Sequence, residues 1–472
     1  MNDLSQLDAV AQASLVARGE VSALELVDAA IRRIEALEPT IHALASHDFE
    51  AARARAAQRP SGPLGGVPFL LKDLMAYPGQ RCALGSRLFR ANVPHEGSPY
   101  TQRLDAAGLI ILGKSTTSEF GLLGSTETLL EGVTRNPWDL TRTAAGSSGG
   151  SAAAVASGMV PMAHASDGGG SIRIPAAVCG LFGFMPSRGR LVPTGMAMPY
   201  DLLRDHCVSR SVRDSALLLS LTEDLSGKAF PPVGYVDRPL TRRLRIGFYS
   251  RTVMGEAPAP EVAAALERTV ALCTELGHEL VEAPLPDLAG PTLSSAFFTV
   301  AGSAMAGLAT TMQGMLGRPV GPEDLEPFTL ELIEWYRGLP GGALDRAMSA
   351  IEEASGRMRS YFAGYDVVLC PTVPVAPFPL GTLAPGLDRE TLIRRTETLA
   401  GYTAIHNMVG VPAMSVPLFT APAGWPIGSH FAARPGEEAT LLGLAYQFEE
   451  AAPWSDRWPP VSVKSPPRPQ GR

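Results

Sequence analysis

Residues 143–173 read TAAGSSGGSAAAVASGMVPMAHASDGGGSIR and place two serines, Ser147 and Ser171, in separate glycine-rich turns. The small residues between the turns, from Ser151 to Met159, predict a helix. Glycine lets successive backbone N–H groups converge on one point, because it has no Cβ to restrict its dihedral angles. A serine in each of two such turns indicates a nucleophile beside an oxyanion hole, for which the rest of the chain must supply a base.

The composition is typical of a globular protein with a large core, since 45% of the 472 residues are hydrophobic and 18% are charged. The net charge is −7 and Lys and Arg form no dense run, so we expect no nucleic-acid partner. The five cysteines are scattered and form no C-x-x-C pair, which argues against a disulfide framework or a zinc site. A reduced, cytoplasmic setting is therefore expected.

We expect neither a signal peptide nor a membrane span. The N-terminal sequence MNDLSQLDAV lacks the basic start and apolar centre of a signal peptide. The most apolar stretch, Ser295 to Met312, contains Ser, Thr and Gly throughout and barely reaches spanning length. It is therefore predicted to be a buried or cleft-lining helix.

Strand-like and helix-like segments alternate along the chain, which predicts an α/β fold. The apolar stripe from Val21 to Leu37 predicts an amphipathic helix that starts with a capping box of Ser22 and Glu25. Pro39 is expected to end that helix. The last residues, 459–472, are rich in proline and are predicted to be a disordered tail.

A short apolar strand is predicted from Val67 to Leu71, and Lys72 and Asp73 follow it. Lysine at the end of a strand is usually solvated. Lys72 is therefore of interest only if another functional group faces it.

The segment from Gly108 to Ser115 fits the phosphate-loop pattern G-x-x-x-x-G-K-S. The four residues between its glycines are Leu-Ile-Ile-Leu, which are predicted to be a strand themselves. A phosphate loop follows a strand and keeps its amides free for phosphate, so we reject nucleotide binding here.

A Ser-His-Asp hydrolase is one interpretation, because Ser148 is the centre of a G-x-S-x-G match. That motif needs a strand immediately before the serine, and only a weak strand fits there. His164 and His206 could be proposed as the base. An isolated histidine among small or apolar residues is more often a hydrogen-bonded structural residue.

Two other classes of protein remain open on the residues alone. A metal hydrolase has little support, since there is no HExxH motif and His95-Glu96 lacks the second histidine. A non-catalytic protein that binds a small molecule is compatible with the Gly/Ser segment, because glycine-rich turns also occur for structural reasons.

A serine hydrolase with a lysine base is the remaining interpretation. It needs a nucleophilic serine, a proton relay, and a lysine whose pKa is lowered by burial and neighbouring charges. Lys72, Ser147 and Ser171 supply these residue types, but sequence spacing does not show whether they meet. The candidate oxyanion donors are the amides of Gly168, Gly169 and Gly170.

Motifs along nearly the whole chain resemble, in order, those of the amidase-signature family of serine hydrolases. They are GPLGGVPFLLKDL (62–74), GKSTTSEFG (113–121), NPWD (136–139), AGSSGGSAAAVASG (145–158), SDGGGSIRIPAA (166–177), CPTVP (370–374), NMVGVPAMSVP (407–417) and ARPGEEATLLGLA (433–445). The resemblance implies an α/β fold in which helices flank a central mixed β-sheet on both sides. It also implies a single domain over residues 1–458, with the core signature at about 62–190 and a variable substrate-pocket region at about 290–365.

By position, the resemblance implies that Lys72 is the general base and Ser171 the nucleophile. Ser147 would lie on a cis peptide bond and relay the proton. The amides of Gly168, Gly169 and Gly170 would bind the oxyanion, and no metal or cofactor is implied.

Asp167 and Arg173 match supporting polar residues of the family. A structural ion pair is at least as good an interpretation of the two as direct chemistry. Ala145 and Gly168 depart from the common pattern, since glycine is frequent at the first position and Thr or Ile at the second.

The SDGGGSIRIPAA version of the signature resembles the subgroup of cyclic-nylon-oligomer (6-aminohexanoate cyclic dimer) hydrolases and metagenomic urethanases. It implies a small-molecule amide or carbamate substrate. Substrate choice is expected to depend on Ser295 to Tyr361 and on the loop from Arg188 to Asp205. Arg190 and Tyr200 are candidate pocket residues, although a surface arginine and a packed tyrosine are the simpler interpretations.

One alternative within the family is the amidase (glutaminase) subunit of a tRNA-dependent amidotransferase, which would have partner subunits. No segment that would bind a glutamine carboxylate is recognisable in residues 290–365. The sequence does not determine the oligomeric state and allows a homodimer.

Overall fold

The strands that carry the predicted site belong to one mixed sheet in the computed structural model, which describes residues 4–195, 199–285 and 287–465. The strands in those residues are β1 (Leu44–His47), β2 (Pro68–Lys72), β3 (Ile110–Ser115), β4 (Glu127–Thr128), β5 (Gly132–Val133), β6 (Arg135–Asn136), β7 (Asp139–Thr143), β8 (Met162–Asp167), β9 (Phe182–Met185), β10 (Arg204–Ser209), β11 (Arg245–Phe248), β12 (Glu279–Glu282), β13 (Val367–Pro371), β14 (Ala413–Thr420) and β15 (Pro426–Ala433). Eleven of these strands form the main sheet, while β4 pairs with β5 and β6 with β7 in two small sheets.

The order of the main sheet is β1-β3-β2-β8-β10-β9-β14-β15-β13-β11-β12. β2 is parallel to both of its neighbours, β3 and β8, whereas β10 is antiparallel to β8. Because parallel strands end at the same edge, Lys72 at the end of β2 and Asp167 at the end of β8 lie at one edge of the sheet. The α/β fold predicted from the sequence is confirmed.

Helices flank this sheet along its length. They are α1 (Ala9–Ala17), α2 (Ala23–Ile41), α3 (Phe49–Ala57), α4 (Pro99–Ala106), α5 (Gly149–Ser157), α6 (Arg173–Cys179), α7 (Val212–Thr222), α8 (Pro260–Glu275), α9 (Gly290–Leu316), α10 (Pro327–Arg337), α11 (Ala343–Phe362), α12 (Arg389–Ala400), α13 (Ala404–Val409) and α14 (Glu438–Ala451). Short 3-10 helices occur at Leu4–Gln6, Arg87–Phe89 and Glu119–Gly121.

Both faces of β2 are buried against helices. Leu70 belongs to a cluster that includes the apolar side chains of α2 and α5. Its neighbours Phe69 and Leu71 belong to a different cluster, which includes Tyr100 of α4 and Leu218 of α7. Successive strand residues point to opposite faces, so the continuous apolar run before Lys72 is explained by a strand covered on both sides.

Helix α5 consists of small residues and one valine, and all nine of its residues are buried. Small side chains let its backbone approach the sheet closely. At Gly150 an added β-carbon would lie 2.5 Å from the carbonyl oxygen of Ala43. The glycine-rich start of α5 is therefore required by packing, and the turn that holds Ser147 is fixed immediately before it.

The boundary of α2 differs from the prediction. The capping box of Ser22 and Glu25 is present, but the helix continues through Pro39 and ends only at Ile41. A proline in the last turn removes a single intrahelical hydrogen bond, and the fully buried Ile41 holds that turn against the core.

The phosphate-loop match is part of β3, which extends to Ser115. Lys114 is fully buried, and its Nζ atom donates to the carbonyl oxygen of Met75. An amine held in this way cannot bind the phosphates of a nucleotide, so the structure agrees with the rejection of that motif.

Residues 459–465 differ from the predicted disordered tail. The amide of Val463 donates to the carbonyl oxygen of Ser157 at 2.9 Å, and Val461 and Val463 pack against the core. Ser462 is fully buried. Residues 466–472 of that predicted tail lie outside the described part of the chain.

Of the helices in the described residues, α9 alone is long and apolar enough to cross a membrane by length and composition. Half of its most apolar window is buried inside the protein. Its residues Leu293, Phe297 and Phe298 line a cleft, which agrees with the predicted cleft-lining helix.

Candidate active site

Lys72 is the last residue of β2, and its side chain is fully buried. Its Nζ atom donates to Ser147 Oγ at 2.7 Å and to Ser166 Oγ at 3.0 Å. A longer bond of 3.3 Å reaches the carbonyl oxygen of Ser166. Ser166 lies on β8, so the parallel pairing of β2 and β8 places one partner and the turn before α5 places the other.

The surroundings of Lys72 favour a neutral amine. Burial lowers the pKa of Lys72 to about 7, against the charges of Asp205 and Asp167, which raise it. A substantial fraction of the side chain is then neutral near pH 7. A neutral amine can accept a proton, which is what a lysine base requires.

Ser147 lies in the turn between β7 and α5 and is 2% exposed. The peptide bond between Gly146 and Ser147 is cis, as the family resemblance implied. The backbone leaves no room for a side chain at Gly146, because an added β-carbon would lie 2.1 Å from the carbonyl oxygen of Ser125. Ala145 has a φ of 59°, in the left-handed region that favours glycine, which explains why glycine is common there in the family.

The Asp167 carboxylate fixes the turn that carries Ser171. Its Oδ1 atom accepts the Gly170 N–H at 2.6 Å, and its Oδ2 atom accepts the Ile172 N–H at 3.1 Å. These two bonds hold the backbone immediately before and after Ser171. The position of the serine is therefore set from the end of β8.

Arg173 and Asp167 form a fully buried, two-armed ion pair. Arg173 Nε lies 2.9 Å from Oδ2 and Nη2 lies 3.0 Å from Oδ1. Asn407 donates to the Asp167 carbonyl at 2.8 Å and accepts from Arg173 at 2.6 Å. Burial would raise the pKa of Asp167, but Arg173 and the hydrogen bonds outweigh it and lower the pKa to about 2. The pair shapes the Ser171 turn from within the core.

The amides free for an oxyanion differ from the predicted set at one position. The N–H of Gly170 donates to Asp167, so it is not available. Within the described residues, the amides of Gly168, Gly169 and Ser171 have no hydrogen-bond acceptor. Gly168 and Gly169 also line the same cleft as Ser171.

Ser171 is partly exposed at the wall of that cleft. Its hydroxyl has no hydrogen-bond partner within the described residues, so the structure does not join it to Ser147. Gly146, which precedes Ser147, lines the same cleft. Catalytic hydrogen bonds are often long in a free enzyme and shorten when substrate binds, so the two serines remain compatible with a relay.

The cleft has an empty volume of about 850 Å³, including the part open to solvent. This size is in the range of small-molecule sites. Its walls come from the segment 121–124, from α9 and from residues 396–408 of α12 and α13. Most of the lining is apolar, as the side chains of Leu293, Phe297 and Met408 illustrate.

The structure does not place Arg190 in this cleft. Arg190 is 2% exposed and forms ion pairs with Glu223 at 2.8 Å and Glu438 at 2.7 Å. Its guanidinium also lies over the ring of Phe230. It is thus an interior residue that ties the segment after β9 to α14, and not a surface arginine.

Tyr200 does not line the cleft either. Its hydroxyl donates to Glu352 at 2.6 Å, and Arg188 stacks on its ring. The loop of which it is part nevertheless approaches the site, because the side chain of Leu203 would lie 3.7 Å from a β-carbon at Gly168. Residues 196–198 of this loop lie outside the described part of the chain.

His164 is a structural neighbour of Lys72. Its Nδ1 atom accepts the backbone N–H of Lys72 at 3.2 Å, so its Nε2 atom carries the proton toward Asp205 Oδ1, 3.1 Å away. Burial lowers the pKa of His164, against the effect of Asp205, and the ring remains neutral. This neutral ring faces neither Ser147 nor Ser171.

The other groups of the rejected interpretations are also engaged elsewhere. Ser148 donates to the carbonyl oxygen of Ser166 at 3.1 Å, and His206 pairs with the hydroxyl of Ser215 at 2.8 Å. In the described residues, no three His, Cys, Asp or Glu side chains form a group that could hold a metal ion.

Sequence reasoning missed the residues that reach the site from distant elements. Ser166 binds Lys72, and Asn407 binds both members of the buried ion pair. The residues of α12 and α13 that form one wall of the cleft were not anticipated. Asn407 lies in the NMVGVPAMSVP motif, and that motif was a signal that Asn407 could be important. Nothing in the sequence of α12 indicated that this helix would form a wall of the cleft.

Comparison with known proteins agrees with the motifs. A family model described as Amidase matches residues 25–442. AmiC, a protein of Mycobacterium tuberculosis that is named as a proposed amidase, is 38% identical over 457 residues, which cover 96% of each chain. The 6-aminohexanoate-cyclic-dimer hydrolase of a Pseudomonas strain is 35% identical over 477 residues and 96% of each chain.

A solved structure gives the same relationship in three dimensions. The structure of a 6-aminohexanoate cyclic dimer hydrolase complexed with substrate superimposes with a TM-score of 0.90. It is 33% identical in sequence and covers 96% of this chain and 99% of its own.

Proposed function

The chain belongs to the amidase signature family, and from that premise we propose that it hydrolyses the C–N bonds of small-molecule amides and carbamates through a Ser171 acyl-enzyme, with Lys72 as base and Ser147 as relay. The observation that carries the proposal is the buried 2.7 Å hydrogen bond between Lys72 Nζ and Ser147 Oγ. Ser171 and Gly146, the residue before Ser147, line the same cleft, in which a substrate carbonyl would meet the Ser171 hydroxyl.

In the first step, neutral Lys72 accepts the proton of the Ser147 hydroxyl while Ser147 accepts the proton of Ser171. The oxygen of Ser171 forms a bond to the substrate carbonyl carbon, and the carbonyl π electrons move to oxygen. The amides of Gly168, Gly169 and Ser171, which have no acceptor among the described residues, would donate to that oxyanion.

In the second step, the same two groups return the proton. Protonated Lys72 donates through Ser147 to the leaving nitrogen, the C–N bond breaks, and an amine departs. Water then attacks the acyl-enzyme with the relay acting again as base, which releases the acid and restores Ser171.

Carbamates suit the same site because their carbonyl carbon also bears a nitrogen. Attack by Ser171 on a carbamate forms the same kind of tetrahedral oxyanion, and proton transfer to nitrogen gives the same leaving amine. Because most of its lining is apolar, the cleft should accommodate substrates whose groups around the carbonyl are small and largely apolar.

The test is a substrate panel of anilides, aliphatic amides, aryl carbamates and aryl esters, read as kcat/KM for the wild-type protein and for Ser171→Ala. We expect turnover of amides and carbamates by the wild type and none by the folded variant. Trapping the acyl-enzyme should add the acyl mass to the intact wild-type protein, and proteolysis followed by mass spectrometry should locate that mass on a peptide that contains Ser171. Turnover by a folded Ser171→Ala protein would exclude the mechanism, and turnover of esters alone would exclude the substrate class.

A further inference from the structure

The cleft in front of Ser171 contains one ionisable side chain among its described lining residues, that of Glu397. Glu397 lies on α12 and forms no ion pair within the described residues. A carboxylate in a largely apolar cleft is costly unless a partner of opposite charge or a hydrogen-bond donor faces it. Its presence therefore needs an explanation beyond packing.

The protein supplies only part of the hydrogen bonding that this carboxylate can accept. The hydroxyl of Ser294, on α9, donates to Glu397 Oε1. A carboxylate can accept about four hydrogen bonds, and in the part of the chain that the structure describes Ser294 is the one donor to it, so the second oxygen can accept from a ligand. Thr396, the preceding residue, also lines the cleft, and its buried hydroxyl has no partner in the described residues.

This polar patch, which consists of Ser294, Thr396 and Glu397, lies close to the reacting centre. The ring of Phe297 would be 3.3 Å from a β-carbon at Gly169, two residues before Ser171. Ser294 precedes Phe297 by three residues, which is about 4.5 Å along the axis of α9, and both residues line the same cleft as Ser171. The patch is therefore near enough to Ser171 for one small substrate to span both.

We propose that the polar patch binds a nitrogen-bearing donor of the substrate, an ammonium or a second amide N–H, a short aliphatic chain away from the scissile carbonyl. This inference rests on the proposed function, because it assigns the substrate class of the same cleft. The apolar walls contact the methylene chain, and Glu397 accepts from the distal nitrogen with the Ser294 hydroxyl holding the carboxylate in place.

The size of the effect follows from the chemistry of the contact. A hydrogen bond to a charged group in a partly buried site changes binding by roughly 10- to 100-fold. A methyl group of the same size as the ammonium forms no hydrogen bond with Glu397. The ratio of the kcat/KM values, or of the affinities, of the ammonium and methyl compounds therefore measures the contribution of this hydrogen bond.

The experiment uses two matched pairs of probes. The acyl-side pair is the p-nitroanilide of 6-aminohexanoic acid and that of heptanoic acid, which exchange an ammonium for a methyl. The amine-side pair is N-(5-aminopentyl)benzamide and N-hexylbenzamide. Each pair is measured as kcat/KM with the wild-type protein, and as a dissociation constant with the full-length Ser171→Ala protein, which does not depend on turnover.

Glu397→Gln is the test variant, because glutamine keeps the volume and an acceptor for Ser294. Glu390→Gln is the matched control, since Glu390 is on the same helix, is exposed and does not line the cleft. We expect Glu397→Gln to reduce the ammonium-to-methyl ratio by about 10- to 100-fold in at least one pair. We expect Glu390→Gln to change it less than twofold.

Ratios that change less than twofold in both pairs with Glu397→Gln would overturn the inference, as would an equal change with Glu390→Gln. The experiment distinguishes a failure of the proposed hydrolysis from a failure of the proposed role of Glu397. If no probe is hydrolysed by the wild type, amide hydrolysis is excluded for these compounds, while the binding ratios of the Ser171→Ala protein still decide whether Glu397 recognises the nitrogen.

Discussion

The Nζ atom of Lys72 lies 2.7 Å from the Oγ atom of Ser147, although 75 residues separate them in the sequence. The contact depends on the end of a buried strand and on a turn that leads into the tightly packed helix α5. Both groups are removed from bulk water, so the amine is neutral enough near pH 7 to take the serine proton.

Replacing Ser147 by Ala should break the relay, because no other hydroxyl in the described residues joins Lys72 to the cleft at Gly146. We expect kcat to fall by about 10²- to 10⁴-fold, the usual contribution of general acid–base catalysis. The adjacent Ser148→Ala variant is the control, since Ser148 bonds the backbone of Ser166 and not the cleft. It should lose about 1 kcal/mol of stability and keep kcat within tenfold. Equal losses of kcat in the two variants would contradict the relay.

The pH dependence of kcat/KM should report Lys72. The neutral amine is the active form, and its pKa is lowered to about 7, so activity should fall about tenfold per pH unit below that value and level off above it. The profile should be recorded with a neutral anilide, whose own charge does not change over this range. A profile that stays flat from pH 5 to pH 9 would exclude Lys72 as the base.

Asp205→Asn should move this acid limb to lower pH. Burial lowers the pKa of Lys72, whereas the carboxylate of Asp205 raises it. Removing the charge of Asp205 therefore lowers the pKa of Lys72 further. Asparagine keeps an oxygen that can accept from His164. Asp201→Asn, an exposed substitution four residues away, should leave the limb in place. A shift to higher pH in Asp205→Asn would contradict this electrostatic account.

Arg173→Met should destabilise the fold strongly, because it leaves the Asp167 carboxylate buried without its partner. We expect the free energy of unfolding in urea to fall by about 3–5 kcal/mol. Arg213→Met removes a more exposed ion pair with Asp8 and should cost less than about 1 kcal/mol. If the two variants lose the same stability, burial is not what makes the Arg173 pair important.

Alanine should be tolerated at Gly168 but not at Gly170. Among the described residues, an added β-carbon at Gly168 meets only Leu203, at 3.7 Å, so the unfolding free energy should change by less than about 0.5 kcal/mol. At Gly170 the φ is 133°, and a β-carbon would lie 2.3 Å from Thr403 Oγ1. Overpacking should cost about 1–3 kcal/mol there and displace Ser171. Thermal unfolding and kcat/KM of the two variants check this, and a Gly170→Ala protein as stable and active as the wild type would contradict the described turn.

Local features were predictable where the cause is local. The capping box of α2, the apolar run of β2 and the small residues of α5 follow from short-range propensity and from burial patterns that the sequence displays directly. The continuation of α2 through Pro39 was not predictable, because the buried Ile41 that holds the last turn meets its partners only in the folded core.

The sequence by itself determined the order of the motifs, the fold class and the residue types from which a serine–lysine site is built. The tertiary structure alone decided that Lys72 is buried enough to have a pKa of about 7, and that the Gly170 amide is taken by Asp167. It also decided that Arg190 is an interior residue, while α12 and α13 form a wall of the cleft. Burial and hydrogen bonding depend on contacts between residues far apart in the chain, and no local pattern encodes which of those contacts form.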